Sequence, residues 1–352
     1  MRILIAAGSS GGHIFPAIAT AFKLKELNAG NEVFFVGSKK TLDVEVLKNE
    51  GYGFDTISSN KKIFHDLFTA FSILKKFKPD IAVGFGGYVS FPALTMAKMM
   101  GVSTIIHEQN LVPGLANRLL SNIADKVGIS FKESRSFFLK RSRIKETGNP
   151  IRVNLVRLNK DKVLEIFGLD KQGFTILVMG GSQGAHFIND VVLEVLKGMS
   201  LKERSWFQFI HLSGLKDFEF VKSGYGALGL KHRVFSFCDR MSEAYSASDL
   251  VISRAGATSI AEITFFGLPA ILIPYPNVRV HQIENAKFLE EKGAAIVVRQ
   301  TDLSPGYFKE VILNLVRDRH RLRQLAENAS KLSHPDAAHR LAAEIMENAG
   351  KI

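Results

Sequence analysis

The run Ile3-Leu4-Ile5-Ala6-Ala7-Gly8-Ser9-Ser10-Gly11-Gly12-His13 returns 173 residues later as Ile176-Leu177-Val178-Met179-Gly180-Gly181-Ser182-Gln183-Gly184-Ala185-His186. Each copy is an apolar strand that runs into glycines and then opens a helix. Such a loop cradles phosphate: the missing side chains let backbone N–H groups approach an anion, and the helix dipole favours its charge. One copy is a weak signal. Two copies, each opening one half of the chain, imply twin α/β domains facing one another with ligand in the cleft between them.

The chain has 352 residues, more than one core comfortably serves, which agrees with two domains. A single cysteine, Cys238, excludes an internal disulfide and fits a reducing compartment. Arg2 is followed by only five apolar residues before the first glycine, so the start reads as a strand rather than a secretory leader. The uncharged stretch 81–97 is interrupted by Gly84, Gly86, Gly87, Ser90 and Pro92, and no transmembrane helix is expected. The net charge is +12, and residues 1–152 carry 21 Lys and Arg against 12 Asp and Glu. A basic first half points to an anionic surface, nucleic acid or acidic lipid. No recognised nucleic-acid motif accompanies the charge.

Apolar runs at 2–7, 32–36, 80–85, 103–107 and 125–129 predict strands in the first half, with helical patterns near 15–29, 61–77, 91–100 and 114–123. The second half repeats the rhythm at 174–179, 206–212, 249–253, 269–274 and 294–298. Alternation of this kind predicts parallel sheets in doubly wound domains, with ligands beyond the carboxyl ends of the strands. Gly148-Asn149-Pro150 marks a linker, so the domains are expected at 1–152 and 153–335. A helical run over 307–333 ends at His334-Pro335, and a last helix at 336–348, within a returning segment 336–352, packs back on the first domain.

Between Lys61 and Lys78, Phe64, Leu67, Phe68, Phe71 and Leu74 recur at helical spacing, bracketed by Lys61, Lys62, Lys75 and Lys76. A phenylalanine stripe rimmed by lysines suits a helix lying at a lipid interface, and equally suits an ordinary helix facing a core. Lys140, Arg141 and Arg143 with Phe137-Phe138 add a second basic and aromatic segment.

The first loop lacks the G-x-G-x-x-G spacing of dinucleotide folds, and Val36-Gly37-Ser38-Lys39-Lys40 offers no carboxylate to a ribose. Only a cofactor with a 2′-phosphate would tolerate that. His13 stands at a helix mouth, placed either to take a proton from a substrate hydroxyl or to cap and pack. A third glycine cluster, Gly84-Phe85-Gly86-Gly87-Tyr88-Val89-Ser90, follows its strand in the same way, and His107-Glu108-Gln109-Asn110 crowds polar groups at another strand end. In the second half, Ser253-Arg254-Ala255-Gly256 leads into Ala257, Thr258, Ser259, Ile260, Ala261 and Glu262. Ser259 and Glu262 have capping-box spacing; the other reading is a carboxylate that binds ribose hydroxyls. Gln282 and Asn285 lie three apart on one helix face, and paired amides suit a sugar.

Taken together, these motifs, with Gly148-Asn149-Pro150-Ile151-Arg152 and Pro274-Tyr275-Pro276, resemble the MurG family within glycosyltransferase family 28. The resemblance implies the α/β GT-B fold: two doubly wound Rossmann-like domains, a cleft, and a C-terminal helix returning to the first domain. It implies transfer of GlcNAc from UDP-GlcNAc to the 4-hydroxyl of the muramyl sugar of lipid I, with inversion, to make lipid II for peptidoglycan. The family's donor contacts fall on Ser10, Gly11, Gly12, Asn110, Arg152, Ser182, Cys238, Ala257 to Glu262, Gln282 and Asn285. Gly86, Gly87, Tyr88 and His107 fall on the acceptor's side. His13 is the implied base, with Glu108 as second candidate. Phe64, Phe68, Phe71, Lys61, Lys62, Lys75 and Lys76 would touch an anionic membrane. The resemblance implies peripheral binding at the cytoplasmic face of the inner membrane, with cell-wall synthesis and division proteins as expected partners and no nucleic acid.

Phe91 and Leu111 stand where the family often has glycine. No Asp-x-Asp metal motif occurs, so no metal or other cofactor is expected, UDP-GlcNAc being a co-substrate. A diacylglycerol glycosyltransferase, a UDP-GlcNAc epimerase and a non-catalytic nucleotide-sugar-binding protein remain as alternatives on the same architecture.

Overall fold

The computed structural model describes residues 1–8, 10–58, 62–139, 143–181, 184–277 and 281–350. The chain divides into two compact units, Met1–Val153 with His334–Ile352, and Asn154–Ser333. Unit 1 contains β1 (Arg2–Ala6), α1 (Gly11–Leu27), β2 (Glu32–Ser38), α2 (Thr41–Asn49), β3 (Gly53–Ile57), α3 (Ile63–Phe77) and β4 (Ile81–Gly84). It continues with α4 (Gly87–Met99), β5 (Ser103–Glu108), α5 (Leu115–Leu120), β6 (Lys126–Ile129) and β7 (Ile144–Glu146). Unit 2 runs through α6 (Lys160–Phe167), β8 (Phe174–Met179), α7 (His186–Lys197), α8 (Leu201–Arg204), β9 (Phe207–Leu212), α9 (Phe218–Ala227), β10 (His232–Phe235) and α10 (Met241–Ser246). Then follow β11 (Leu250–Ser253), α11 (Ala257–Phe266), β12 (Ala270–Leu272), α12 (Gln282–Glu291), β13 (Ile296–Val297), α13 (Pro305–Arg317) and α14 (Arg319–Lys331). The last helix, α15 (Ala337–Ala349), belongs to unit 1.

Among the described residues, unit 1 has a seven-stranded sheet in the order β3-β2-β1-β4-β5-β6-β7, and unit 2 a six-stranded one in the order β10-β9-β8-β11-β12-β13. Every strand pair is parallel, with β1 between β2 (Ile3 opposite Val33) and β4 (Ile3 opposite Ile81). Both units are therefore Rossmann-like, as the repeat and the resemblance imply. In each, the strand order reverses beside the first strand of the unit, and ligands bind outside the carboxyl ends of strands at such a point.

Alternation along β1 builds the core. Ile3 and Ile5 face one side, packing with Ile14 and Leu24 of α1 and Leu341 and Ile345 of α15. Leu4 and Ala6 face the other, against Ala70 and Leu74 of α3 and Val89 and Leu94 of α4. Burial of α15 is reinforced by Asn348 Nδ2 donating to Ser103 Oγ at 2.6 Å and by Lys145 against Glu344 at 3.4 Å. In unit 2, Ile176 and Val178 of β8 pack with Ile188 and Val192 of α7 and Phe308 and Ile312 of α13.

The single helical run expected over 307–333 is two helices. Asp318, at φ −91° and ψ 84°, interrupts it and caps α14 by accepting from Arg321 N. Among the described residues, no helix is long and apolar enough to cross a membrane.

Candidate functional site

In unit 1 the strand order reverses between β1 and β4, and both strands end in glycine turns. The first delivers Ser10, then Gly11, Gly12 and His13 in the opening turn of α1. The Nδ1 of His13 lies 3.1 Å from Gly8 O and 3.1 Å from Ser10 Oγ. A carbonyl can only accept, so Nδ1 carries the proton and Nε2 keeps its lone pair. Burial lowers the His13 pKa below the ordinary histidine value, against weaker opposing pulls from the Gly8 bond, Glu108 and Asp43. The ring is thus neutral and basic at Nε2 near pH 7.

Gly86 and Gly87 follow β4 with φ of 87° and 73°. A side chain at Gly87 would meet Gly8 O at 2.8 Å and His13 Nδ1 at 3.3 Å; one at Gly86 would meet His13 Nε2 at 3.4 Å. Only glycine lets this turn lie on the imidazole. Ser90 Oγ pins it, bonding Ala6 O at 2.9 Å and Gly86 O at 2.7 Å. Tyr88, next in the turn, donates to Asp66 Oδ2 of α3 at 2.6 Å. Phe91, on α4, is partly buried against the core of unit 1.

At the end of β5, His107 is fully buried, and burial lowers its pKa to about 4. Its Nε2–H donates to Gly148 O at 3.0 Å, so Nδ1 accepts from Gln109 Nε2 at 3.1 Å. Glu108 is buried too and accepts from Asn110 N (2.9 Å), Asn110 Nδ2 (3.3 Å), Gly114 N (3.1 Å) and Asn117 Nδ2 (2.9 Å). Both oxygens are committed to shaping the loop that presents Asn110, which favours His13 over Glu108 as the base. Leu111 joins the same loop, its carbonyl accepting from Ser134 Oγ at 2.8 Å. Arg152 lies over the Phe15 ring at 4.4 Å, held beside α1. Asn149, part of the linker and of the Gly148–Arg152 motif, is buried, and neither of its amide atoms has a partner among the described residues. Buried amides are rarely left so, and this one is available to a ligand.

In unit 2 the corresponding strands are β8 and β11. Gly184, at φ 76°, lies so close to Ser213 O that a Cβ would stand 2.1 Å away. Ser182 lies outside the described residues, as does Lys61. After β11 the chain enters α11, which holds Ala257, Thr258, Ser259, Ile260, Ala261 and Glu262. The N-cap of α11 is Gly256 with no side-chain cap, so Ser259 and Glu262 lie inside the helix and form no capping box. Glu262 is buried and accepts from Tyr245 OH at 2.9 Å. Tyr245 was not visible as a site residue in the sequence, because its phenol reads as core and its partner lies 17 residues away.

Arg254 is also buried. Its Nη1 donates to Ile273 O at 3.0 Å, its guanidinium faces the Tyr275 ring at 5.4 Å, and burial lowers its pKa to about 10. Gln282 Oε1 accepts from Tyr275 N at 2.9 Å, and buried Asn285 donates to Ala255 O at 3.2 Å, so both amides of α12 brace the loops after β11 and β12. Cys238 is buried close before α10. His186, the counterpart of His13, pairs with Asp217 at 3.1 Å on an exposed surface. Among the described residues, no cluster of His, Cys, Asp and Glu could hold a metal ion.

On α3, Phe64 and Phe68 are 78% and 72% exposed, Phe71 is exposed beside them, and Lys62, Lys75 and Lys76 stand around them in solvent. Lys140 and Arg141 of the second basic segment lie outside the described residues; Phe137 is exposed and Phe138 is buried.

Residues 3–129 match the glycosyltransferase family 28 N-terminal domain and residues 175–341 the family's C-terminal domain. The UDP-N-acetylglucosamine--N-acetylmuramyl-(pentapeptide) pyrophosphoryl-undecaprenol N-acetylglucosamine transferase of Geobacter metallireducens is 40% identical over 373 residues, covering 100% of both chains. The protein of the same description from Halothermothrix orenii is 37% identical, covering 97% of each. The crystal structure of Acinetobacter baumannii MurG superposes with a TM-score of 0.78 at 28% identity, over 98% of this chain and 99% of that one.

Proposed function

The chain belongs to glycosyltransferase family 28, and we propose that it moves GlcNAc from UDP-GlcNAc to the muramyl 4-hydroxyl of lipid I, making lipid II. Full-length identity to transferases of that description supports the substrates. The observation that carries the chemistry is the His13 ring, neutral and basic at Nε2, at the point where the unit 1 strand order reverses.

Unit 2 holds the donor. Glu262, oriented by Tyr245, takes the ribose hydroxyls; Gln282 and Asn285 read the sugar; and the loop before α7, Ser182 included, meets the diphosphate. On unit 1, Ser10, Gly11, Gly12, Asn110 and Arg152 are the residues to which the family resemblance assigns donor contact. The acceptor oxygen attacks the anomeric carbon, its proton passes to His13 Nε2, and the bond from that carbon to the UDP oxygen breaks with inversion. Backbone N–H groups and the positive end of α7 offset the leaving charge, so no metal or other cofactor is required. Gly86, Gly87, Tyr88 and His107 shape the acceptor side.

The membrane reading rests on α3. Large rings exposed beside lysines are costly in water and favourable at an anionic bilayer, with rings among acyl chains and ammonium groups at phosphates. Exposed Leu115 and Leu119 on α5 extend the apolar surface of unit 1. A polyprenyl-linked acceptor stays in the bilayer, so the enzyme docks peripherally on its cytoplasmic face, where further cell-wall and division proteins act. Proton NMR of the product tests the reaction: a β-1,4 linkage supports inversion, and an α linkage contradicts it.

A further inference from the structure

Helix α3 departs from an ordinary amphipathic helix on both faces. Its buried face carries Asp66 with Ala70, Ile73, Leu74 and Phe77, while Phe64, Phe68 and Phe71 face outward. A carboxylate fills a fully buried position where the pattern calls for an apolar residue, and such a substitution costs free energy unless it serves something. Asp66 Oδ2 accepts from Tyr88 OH at 2.6 Å, and Oδ1 has no partner among the described residues. Asp66 lies in the first turn of α3, where the helix dipole favours a carboxylate, and the Tyr88 bond gives it a side-chain partner. Partial burial and Asp66 together raise the Tyr88 pKa to about 12, so the phenol keeps its proton and remains a donor.

Tyr88 directly follows Gly87, and Gly87 lies against Gly8 O, the atom that holds the His13 proton. The turn is pinned to β1 by Ser90 and to α3 by Tyr88. A continuous path of contacts thus runs from the phenylalanine face through Asp66, Tyr88 and Gly87 to the imidazole, all within unit 1. We propose that Asp66 is a positioning residue: through Tyr88 it couples the seating of α3 on a lipid surface to the placement of the Gly86–Gly87 turn, and hence of His13. This rests on the membrane reading above.

The test compares transfer to a long-chain lipid I analogue embedded in phosphatidylglycerol-rich vesicles with transfer to a short-chain soluble analogue. Asp66→Ala puts a small apolar side chain into an apolar slot and leaves the half-buried phenol able to reach water, so the thermal midpoint and vesicle binding stay as in the wild type. Its kcat on the embedded acceptor falls roughly 10- to 100-fold, as misplacement of a reacting group does, while KM and turnover of the soluble acceptor are kept. Asp66→Asn still accepts from Tyr88 and restores the embedded rate. On the embedded acceptor, Tyr88→Phe added to Asp66→Ala costs nothing further beyond the larger single effect, because both remove one bond. The proposal is overturned if Asp66→Ala loses nothing on the embedded acceptor, if Asp66→Asn fails alongside it, or if the two losses add. Its failure is distinguishable from failure of the membrane reading: the latter fails if the Phe64, Phe68 and Phe71 serine variant binds vesicles as tightly as the wild type, whatever Asp66 does.

Discussion

The Nδ1–H of His13 donates to the carbonyl oxygen of Gly8 at 3.1 Å, and this bond decides which ring nitrogen can act as a base. With the proton held at Nδ1, Nε2 keeps its lone pair, the atom that the proposed reaction needs as its base. Burial holds the pKa below 6.5, so the working, neutral form predominates at and above neutral pH. The kcat/KM profile is therefore flat around pH 7 and falls on the acid side with an apparent pKa below that of free histidine. An acid limb centred above 6.5 would contradict the assignment.

Burial also makes His107 a source of acid sensitivity. Its folded pKa is about 4, whereas the unfolded chain has the ordinary 6.5. Between those values the unfolded state binds the extra proton, so stability is complete above pH 6.5 and is lost as pH falls toward 4. The full window is worth about 3 kcal/mol for this residue. Urea unfolding followed from pH 7 to pH 4 should show that slope, and His107→Gln, which keeps a donor for Gly148 O, should reduce it, leaving the share of buried His211, whose pKa is lowered to about 3. An equal slope in both proteins would rule His107 out as its origin.

Tyr245 holds Glu262 by a hydrogen bond of 2.9 Å, so it should matter to the donor without touching it. Tyr245→Phe is expected to weaken UDP-GlcNAc binding about 5- to 10-fold, the value of one such bond. Glu262→Gln should weaken it more. Calorimetric titration measures both, and wild-type affinity in the two variants would remove Glu262 from the donor site.

Replacing Phe64, Phe68 and Phe71 with serine removes the exposed rings of α3 and should release the protein from phosphatidylglycerol-rich vesicles in a sedimentation assay. Residual binding through Lys62, Lys75 and Lys76 should then vanish as salt rises. The three side chains lie outside the core, so the thermal midpoint should not fall.

The sequence was most legible where a single physical pattern dominates. Buried central strands such as β1, β8 and β11 are continuous apolar runs, and each ends in the glycine turn that marks a ligand site. The strands missed, β3, β7 and β10, all lie at sheet edges, where Asp55, Glu146 and Arg233 break the apolar pattern. Helix α4 starts at Gly87 rather than 91, because the glycine turn feeds straight into it. Side-chain partnerships were the least legible. Tyr245 with Glu262 and Tyr88 with Asp66 join residues on separate helices, and periodicity places each on a face without saying what it meets. Glu108, the second candidate base, accepts from four N–H donors, an arrangement that its position in the sequence does not reveal.

The most direct measurement is transfer of radiolabel from UDP-GlcNAc to a lipid I analogue by the wild type and by His13→Ala side by side. The wild type should label the muramyl sugar, and the variant should turn over about 10²- to 10⁴-fold more slowly while still binding the donor. Near-normal turnover by His13→Ala, or donor binding by the wild type with no transfer at all, would contradict the account.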